Sequence, residues 1–192
     1  MGQRIVIIQG HPDPAGGHFG HALADAYAHG ARAGGHEVRR VEVAALDFPL
    51  VRTRADWVEG VPPADIARVQ DDIAWSGHVV LCYPLWLGTM PALLKGFLEQ
   101  VLRQDFAFGG APGQWNRALK GRSARIVVTM GMPAAVYRWY FGAHSLRSLE
   151  RNVLGFCGIH PIRESLVGLV EGSARGRRRW LARMERLGHA AR

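Results

Sequence analysis

The sequence predicts an α/β domain in which five parallel strands form a doubly wound sheet with helices on both faces. Three observations carry the prediction. Residues 78–102, HVVLCYPLWLGTMPALLKGFLEQVL, pass without interruption from a buried strand through a loop into a helix. Residues 4–43 go through the same succession and then return to a second strand, the first half of a doubly wound sheet. Two further apolar runs, at 124–129 and 162–169, each neighbour a helical pattern, so strands and helices alternate to the end of the chain.

Residues 4–8 form the first strand, followed by a loop over 9–20 that holds glycines, prolines and two histidines. A helix rich in alanine is expected from His21 to about Ala33, stopped by Gly34 and Gly35. Residues 37–43 alternate as the second strand, and 46–64 read as irregular, with Trp57 within them. A helix over 64–75 leads into the central strand, where Val79, Val80, Leu81 and Cys82 make a short run that is too short for a helix. Pro84 has no donor for a ladder and ends that strand. Pro91 suits a first helical turn, and Leu93, Leu94, Phe97, Leu98, Val101 and Leu102 then fall at helical spacing over 91–103.

Residues 104–122 make a long polar and aromatic excursion, the kind of loop that in a compact domain serves function or an interface. The fourth strand is 124–129, a helix begins within 135–145 and runs to Phe156, the fifth strand spans 162–169, and a last helix over 172–187 closes the fold. With no repeat, low-complexity tract or linker, residues 1–192 are assigned to one domain.

A chain that is 48% hydrophobic and 21% charged has the material for one sizeable core. No stretch of about 18 apolar residues occurs, so no membrane span is expected, and the amino terminus has no signal-like apolar region, which points to the cytoplasm. Cys82 and Cys157 sit in apolar surroundings and predict buried thiols, neither a disulfide framework nor a metal cluster. His11, His18 and His21 lack the spacing and companion ligands of a metal site. The net charge of +8 raises nucleic acid as a partner, but the arginines are spread along the chain and no binding motif accompanies them.

The segment YPLWLGTMPALLKGFLEQVL resembles the P-L-W/Q-W-x-x-x-P-A-x-L-K-G-[FW]-x-[DE]-x-V stretch of the flavodoxin-like NAD(P)H:quinone oxidoreductases, the family of the mammalian quinone reductases and the bacterial modulators of drug activity. Weaker matches extend the resemblance from about residue 4 to about residue 168. It implies a flavodoxin-like sheet with strand order 2-1-3-4-5, in which strands one and three flank the topological switch point where ligands bind. It also implies a bound flavin, with FAD favoured because the central motif is most similar to the FAD-binding quinone reductases and FMN possible. NAD(P)H is the implied co-substrate and a quinone the implied acceptor.

Three strand-end loops carry the residues this resemblance assigns. Pro84, Leu85, Trp86 and Leu87 are expected along the flavin ring. The loop over 10–20 resembles the family's H-P-D-P-x-S-F-N-H-A-L phosphate loop: His11, Phe19 and His21 match, His18 stands where serine is usual, Gly20 where asparagine is, and two residues within 15–17 are extra. Such a glycine-containing loop before a helix N-terminus turns N–H groups toward an anion. Thr129, Met130, Gly131 and Met132 resemble a T-T-G-G turn, with Met130 departing from it, whose backbone N–H groups are expected at the polar edge of the ring. Tyr137 and His144 are the implied catalytic pair on the acceptor side, with Tyr140 a rival for the tyrosine role. A homodimer is implied too, and Trp57, Phe106, Phe108 and Trp115 are apolar enough to serve an interface. Two other readings stay open: an ancillary flavoprotein subunit of a potassium-efflux system, and a flavin-free binding module on the same fold.

Overall fold

The computed structural model describes residues 2–109 and 116–192; Trp115 lies outside them. Five parallel strands form one sheet: β1 (Arg4–Gln9), β2 (Glu37–Glu42), β3 (His78–Pro84), β6 (Ser123–Thr129) and β7 (Ile162–Val167), in the order β2-β1-β3-β6-β7. Counted within the sheet this is the expected 2-1-3-4-5. A separate two-stranded hairpin, β4 (Phe108–Gly109) with β5 (Asn116–Arg117), lies within the long excursion.

Alternate side chains of each strand go to opposite faces. Val6, Ile8, Val79, Leu81, Ile126 and Val128 enter one core, beneath α3 (Ala64–Trp75), α4 (Ala92–Val101) and α5 (His144–Ser148). Ile5, Ile7, Val80, Cys82 and Val127 enter the other, beneath α1 (Phe19–Ala33) and α6 (Ala174–His189). Helices α1 and α6 approach so closely that a Cβ on Gly30 would stand 1.9 Å from the Glu185 carbonyl oxygen. Both cysteines are buried, and burial pushes the Cys82 thiol up to about 12 and Cys157 to about 11.

Several boundaries differ from the sequence reading. Helix α1 starts at Phe19, two residues early, because an extended His18 serves as its cap position. β3 runs through Pro84: the strand's last residue needs no donor, and the next amide, Leu85 N–H, continues the ladder to the Thr129 carbonyl at 2.8 Å. The helix expected up to Phe156 is broken. Val136–Tyr140 forms a wide turn closed by a bond from Phe141 N–H to the Val136 carbonyl, then Gly142 and Ala143 take left-handed backbone and α5 starts afresh. A second wide turn, Leu149–Leu154, follows.

Within the segment read as irregular, α2 (Arg54–Val58) forms because Thr53 and Asp56 make a reciprocal capping box, Thr53 Oγ1 accepting from Asp56 N–H at 3.0 Å. Gln100 and Arg103 of the α4 end hold this segment down. Arg103 donates to the carbonyls of Asp56 and Gly60 at 2.7 and 2.6 Å, and Gln100 donates to that of Pro49 at 2.6 Å.

Candidate active site

The three loops named by the sequence do meet at the carboxyl edge of the sheet. Gly10 N–H bonds to the Cys82 carbonyl at 2.7 Å and Leu85 N–H to that of Thr129 at 2.8 Å, so the loop after β1 rests on β3 and the loop after β3 on β6. Helix α1 closes the third side: a Cβ on Gly20 would lie 3.9 Å from the Thr129 side chain.

The first loop is built around stacked imidazoles. His11 is buried and its ring lies on that of His18 with centroids 3.8 Å apart, while His21 is 5.4 Å away. Burial, with the His18 and His21 charges adding to it, pushes His11 down to about 4, so it is neutral at pH 7. Its Nδ1 accepts from Asp13 N–H at 3.2 Å, which leaves the proton on Nε2 as a donor. His18 Nε2 bonds to the Asp13 carboxylate at 2.7 Å and, with Ala15 N–H, holds that carboxyl below the usual range. The α1 terminus itself carries no side-chain cap, so the amides of Phe19 and Gly20 in its first turn have no partner among the described residues.

Beneath this loop lies Gln9, a residue the sequence reading passed over. It is 1% exposed, its Oε1 accepts from His11 N–H at 3.1 Å, and its Nε2 has no partner among the described residues. Its signal was a polar residue ending an otherwise apolar strand directly before Gly10.

The second loop is a tight two-residue turn. Trp86 and Thr89 exchange hydrogen bonds at 2.9 and 3.0 Å, and Leu87 and Gly88 both take positive φ, 47° and 78°. Trp86 is thereby held half-exposed, 5.8 Å from His11 and edge-on to it, with Pro84 and Leu85 beneath. Leu87 faces solvent entirely.

The third loop offers donors at different positions from those expected. Met130 N–H is taken by the Val167 carbonyl at 2.9 Å and the Met130 side chain is buried in the core, so this residue presents nothing to a ligand. The next two amides, of Gly131 and Met132, have no partner among the described residues. Around Gly131, as around Gly16, Gly17 and Gly88, a Cβ would meet only open space. The three loops form an open shelf rather than an enclosed cavity.

Tyr137 and His144 are not brought together on that shelf. The Tyr137 phenol is 2% exposed, bonds to Ser145 Oγ at 2.7 Å and accepts from Leu146 N–H at 3.3 Å, and the side chain packs in the core. His144 is exposed and folds back over Gly142. The rival Tyr140 is 81% exposed.

Among the cavities off the shelf, two bear on it or on the expected interface. One of about 530 Å³ is lined by Trp57, Leu98, Leu102, Phe108 and Phe156, where Trp57 packs on Phe108 at 5.5 Å. Of the aromatic side chains expected at an interface, Trp57 and Phe108 line this opening. The other, about 430 Å³, borders Phe19 of the first loop and is lined by Trp180, Arg177, Arg179 and Arg183. The described residues contain no cluster suited to a metal ion and no helix long and apolar enough to cross a membrane.

A strand order that sets β1 beside β3, with helices on both faces of the sheet, is that of a flavodoxin-like fold. Residues 3–187 match the Flavodoxin_2 family, described as a flavodoxin-like fold, and the chain belongs to that family. It is 28% identical over 177 residues to an uncharacterized NAD(P)H oxidoreductase of Haemophilus influenzae, covering 88% of this chain and 87% of that protein. Among solved structures it is similar to an NAD(P)H:quinone oxidoreductase from Methanothermobacter marburgensis, with TM-score 0.81, 21% identity and 98% of both chains covered. It is also similar to an FMN-dependent NADH-azoreductase from Bacillus anthracis in complex with FMN, with TM-score 0.72, 14% identity and again 98% of both chains covered.

Proposed function

We propose that this protein is a flavin-dependent NAD(P)H oxidoreductase that reduces quinones or similar two-electron acceptors by a ping-pong reaction. The observation that carries the reading is the convergence of three donor-bearing loops on one shelf: uncapped α1 amides with His11, the held Trp86, and the Gly131–Met132 amides. The relatives' names agree with it. A flavin, when bound, supplies two-electron chemistry by accepting hydride from NAD(P)H and passing it to the acceptor.

The residues present fit such a group. His11 Nε2–H, Gln9 Nε2 and the Phe19 and Gly20 amides are donors without acceptors, suited to a phosphate at a helix N-terminus. Trp86 gives a rigid flat surface for a ring, and the amides of Gly131 and Met132 suit its polar edge. We propose FAD, because the arginine-lined cavity that borders Phe19 gives room and positive charge for an adenylate; FMN is the flavin in the similar azoreductase. His144 is exposed and is proposed as the group that exchanges a proton with the acceptor, whereas Tyr137 acts as a positioning residue through Ser145. The dimer, too, is proposed: its contact is the cavity around Trp57 and Phe108.

The purified protein is mixed with FMN or FAD, desalted and scanned near 450 nm, then assayed for nicotinamide oxidation with a quinone. Colour and turnover support the reading. A colourless protein supports the flavin-free module, and colour without turnover supports the ancillary subunit.

A further inference from the structure

The loop after β1 and the start of α1 gather three imidazoles at one point. His11 and His18 stack with centroids 3.8 Å apart, and His21 lies 5.4 Å from the first ring and 5.7 Å from the second. The acid beside them is Asp13, whose carboxylate is bound by His18 Nε2 at 2.7 Å. Two buried polar atoms here have no partner among the described residues: Nε2 of Gln9, a side chain 1% exposed whose Oε1 accepts from His11 N–H, and Nδ1 of His21. A buried amide with an unpartnered donor, beside an uncapped helix N-terminus, marks a place built for an acceptor.

Charge is out of balance at this point. Each imidazole that takes a proton meets two other rings and the positive end of α1, against one carboxylate. His11 shows the result: burial first, then the charges of His18 and His21, push it down to about 4, with Asp13 opposing. Among the described residues, the other elements packed here contribute groups that do not titrate near neutral pH, Gln9 from β1, Trp86 from the β3 turn and Thr129 from β6. The arginines of the cavity that borders Phe19 are not among the groups whose charge acts on His11, and an arginine stays charged near neutral pH in any case.

We propose that anion binding and proton uptake are one event in this loop: the flavin phosphate enters together with a proton on the His11–His18–His21 cluster, so FAD is held more tightly as the solution becomes acidic. The inference rests on the oxidoreductase reading in naming a flavin as the carrier of the anion. A phosphate among the rings supplies the negative charge that the cluster by itself lacks, and an opposite charge at that distance favours the charged imidazole. The proton comes from solvent and belongs to the cluster rather than to one ring. His21 Nδ1, which has no partner among the described residues, is open to it, whereas on His11 Nδ1 it would displace the bond from Asp13 N–H. Sign follows from the same balance. A group whose bound state holds the proton more firmly than its free state contributes affinity that is complete in acid and is lost as pH rises.

The test is the dissociation constant of FAD, read from flavin fluorescence at fixed ionic strength between about pH 8 and about pH 5.5. FAD suits it because its linked phosphates lack the second ionisation, near about pH 6, of a phosphate monoester such as FMN. One proton taken up per FAD gives up to about tenfold in affinity per pH unit, and we expect at least about tenfold over the whole range. Calorimetry in two buffers of different ionisation enthalpy should register the proton directly. His18→Ser with His21→Gln, which breaks up the cluster, should cut the change to less than about threefold, whatever it does to affinity at the alkaline end. His21→Gln alone should already reduce the slope, which keeps the idea testable if the double variant does not fold. A dissociation constant flat with pH, or a slope that survives these variants, overturns the inference and leaves the oxidoreductase reading standing. If FAD binds at no pH, that reading falls and sulfate, a dianion throughout the range, decides the inference. A rise in melting temperature with sulfate over chloride that grows toward acid in wild type, and not in the variants, upholds a proton-linked anion site; its absence ends it.

Discussion

The imidazole of His18 lies flat on that of His11, with centroids 3.8 Å and planes 16° apart, while its Nε2 holds the Asp13 carboxylate. Where the related phosphate loop has a serine, this longer loop has a ring that braces it. His18→Ser should remove both the stacking and the hydrogen bond to Asp13 and weaken flavin binding about three- to tenfold, roughly 0.7–1.4 kcal/mol. Titration of flavin fluorescence measures it. An unchanged dissociation constant would mean that the brace plays no part in binding.

Trp86 is fixed by the paired bonds of its turn and stands 5.8 Å from His11. Trp86→Ala should cost about 1–2 kcal/mol of flavin affinity and slow reduction by NAD(P)H, since contact area and ring orientation are lost together. Stopped-flow absorbance with saturating flavin separates the two effects. Full flavin content and full speed would reassign Trp86 to capping the core.

His144 and Tyr137 should separate in the acceptor half-reaction. His144→Ala should slow it by at least roughly tenfold, about 1.4 kcal/mol of barrier, with flavin content unchanged. Tyr137→Phe keeps the ring's packing but loses the Ser145 bond, so its effect should appear in thermal stability. A Tyr137→Phe variant as slow as His144→Ala, with unaltered melting, would return the phenol to the catalytic list.

Acid should destabilise the fold through His78. Burial, then the charges of Arg125, Arg163 and His36, push this histidine down to about 4 from its usual 6.5. The unfolded chain therefore takes up the proton first as pH falls. Stability is lost between about pH 6.5 and 4, by up to about 3 kcal/mol from this group. Urea midpoints for wild type and His78→Asn across that range check it: a slope unaltered by the substitution would assign the acid sensitivity to other groups.

The packing of α1 on α6 requires glycine at position 30. Gly30→Ala places a methyl 1.9 Å from a carbonyl oxygen, a contact with backbone that no rotamer change relieves, and should cost about 2 kcal/mol or more, roughly 4–8 °C in melting temperature. Gly77→Ala, with its nearest neighbour at 3.9 Å, is the matched control. Equal melting temperatures for the two variants would show that the helices can part without cost.

The alternation of strands and helices was legible in the sequence from local signals, apolar runs of strand length and prolines at their ends, while the strand order and the meeting of three loops came from the family resemblance carried by the motif at 83–102. The α2 cap of Thr53 and Asp56, three residues apart, lay in a segment read as irregular. What no local signal carries is which polar groups remain free once the chain has folded. Met130 and Gly131 are neighbours, yet the Met130 amide is taken by a carbonyl from β7, 37 positions on at Val167, and only the Gly131 amide is left over. Tyr137 reads in sequence like any tyrosine after a turn, and the wide helical turn with its break at Gly142 and Ala143 is what rotates it into the core and Tyr140 out. Hydrogen-bond partners and burial are set by contacts between distant segments, so the sequence determined the frame of the site and the tertiary structure decided which of its residues can act.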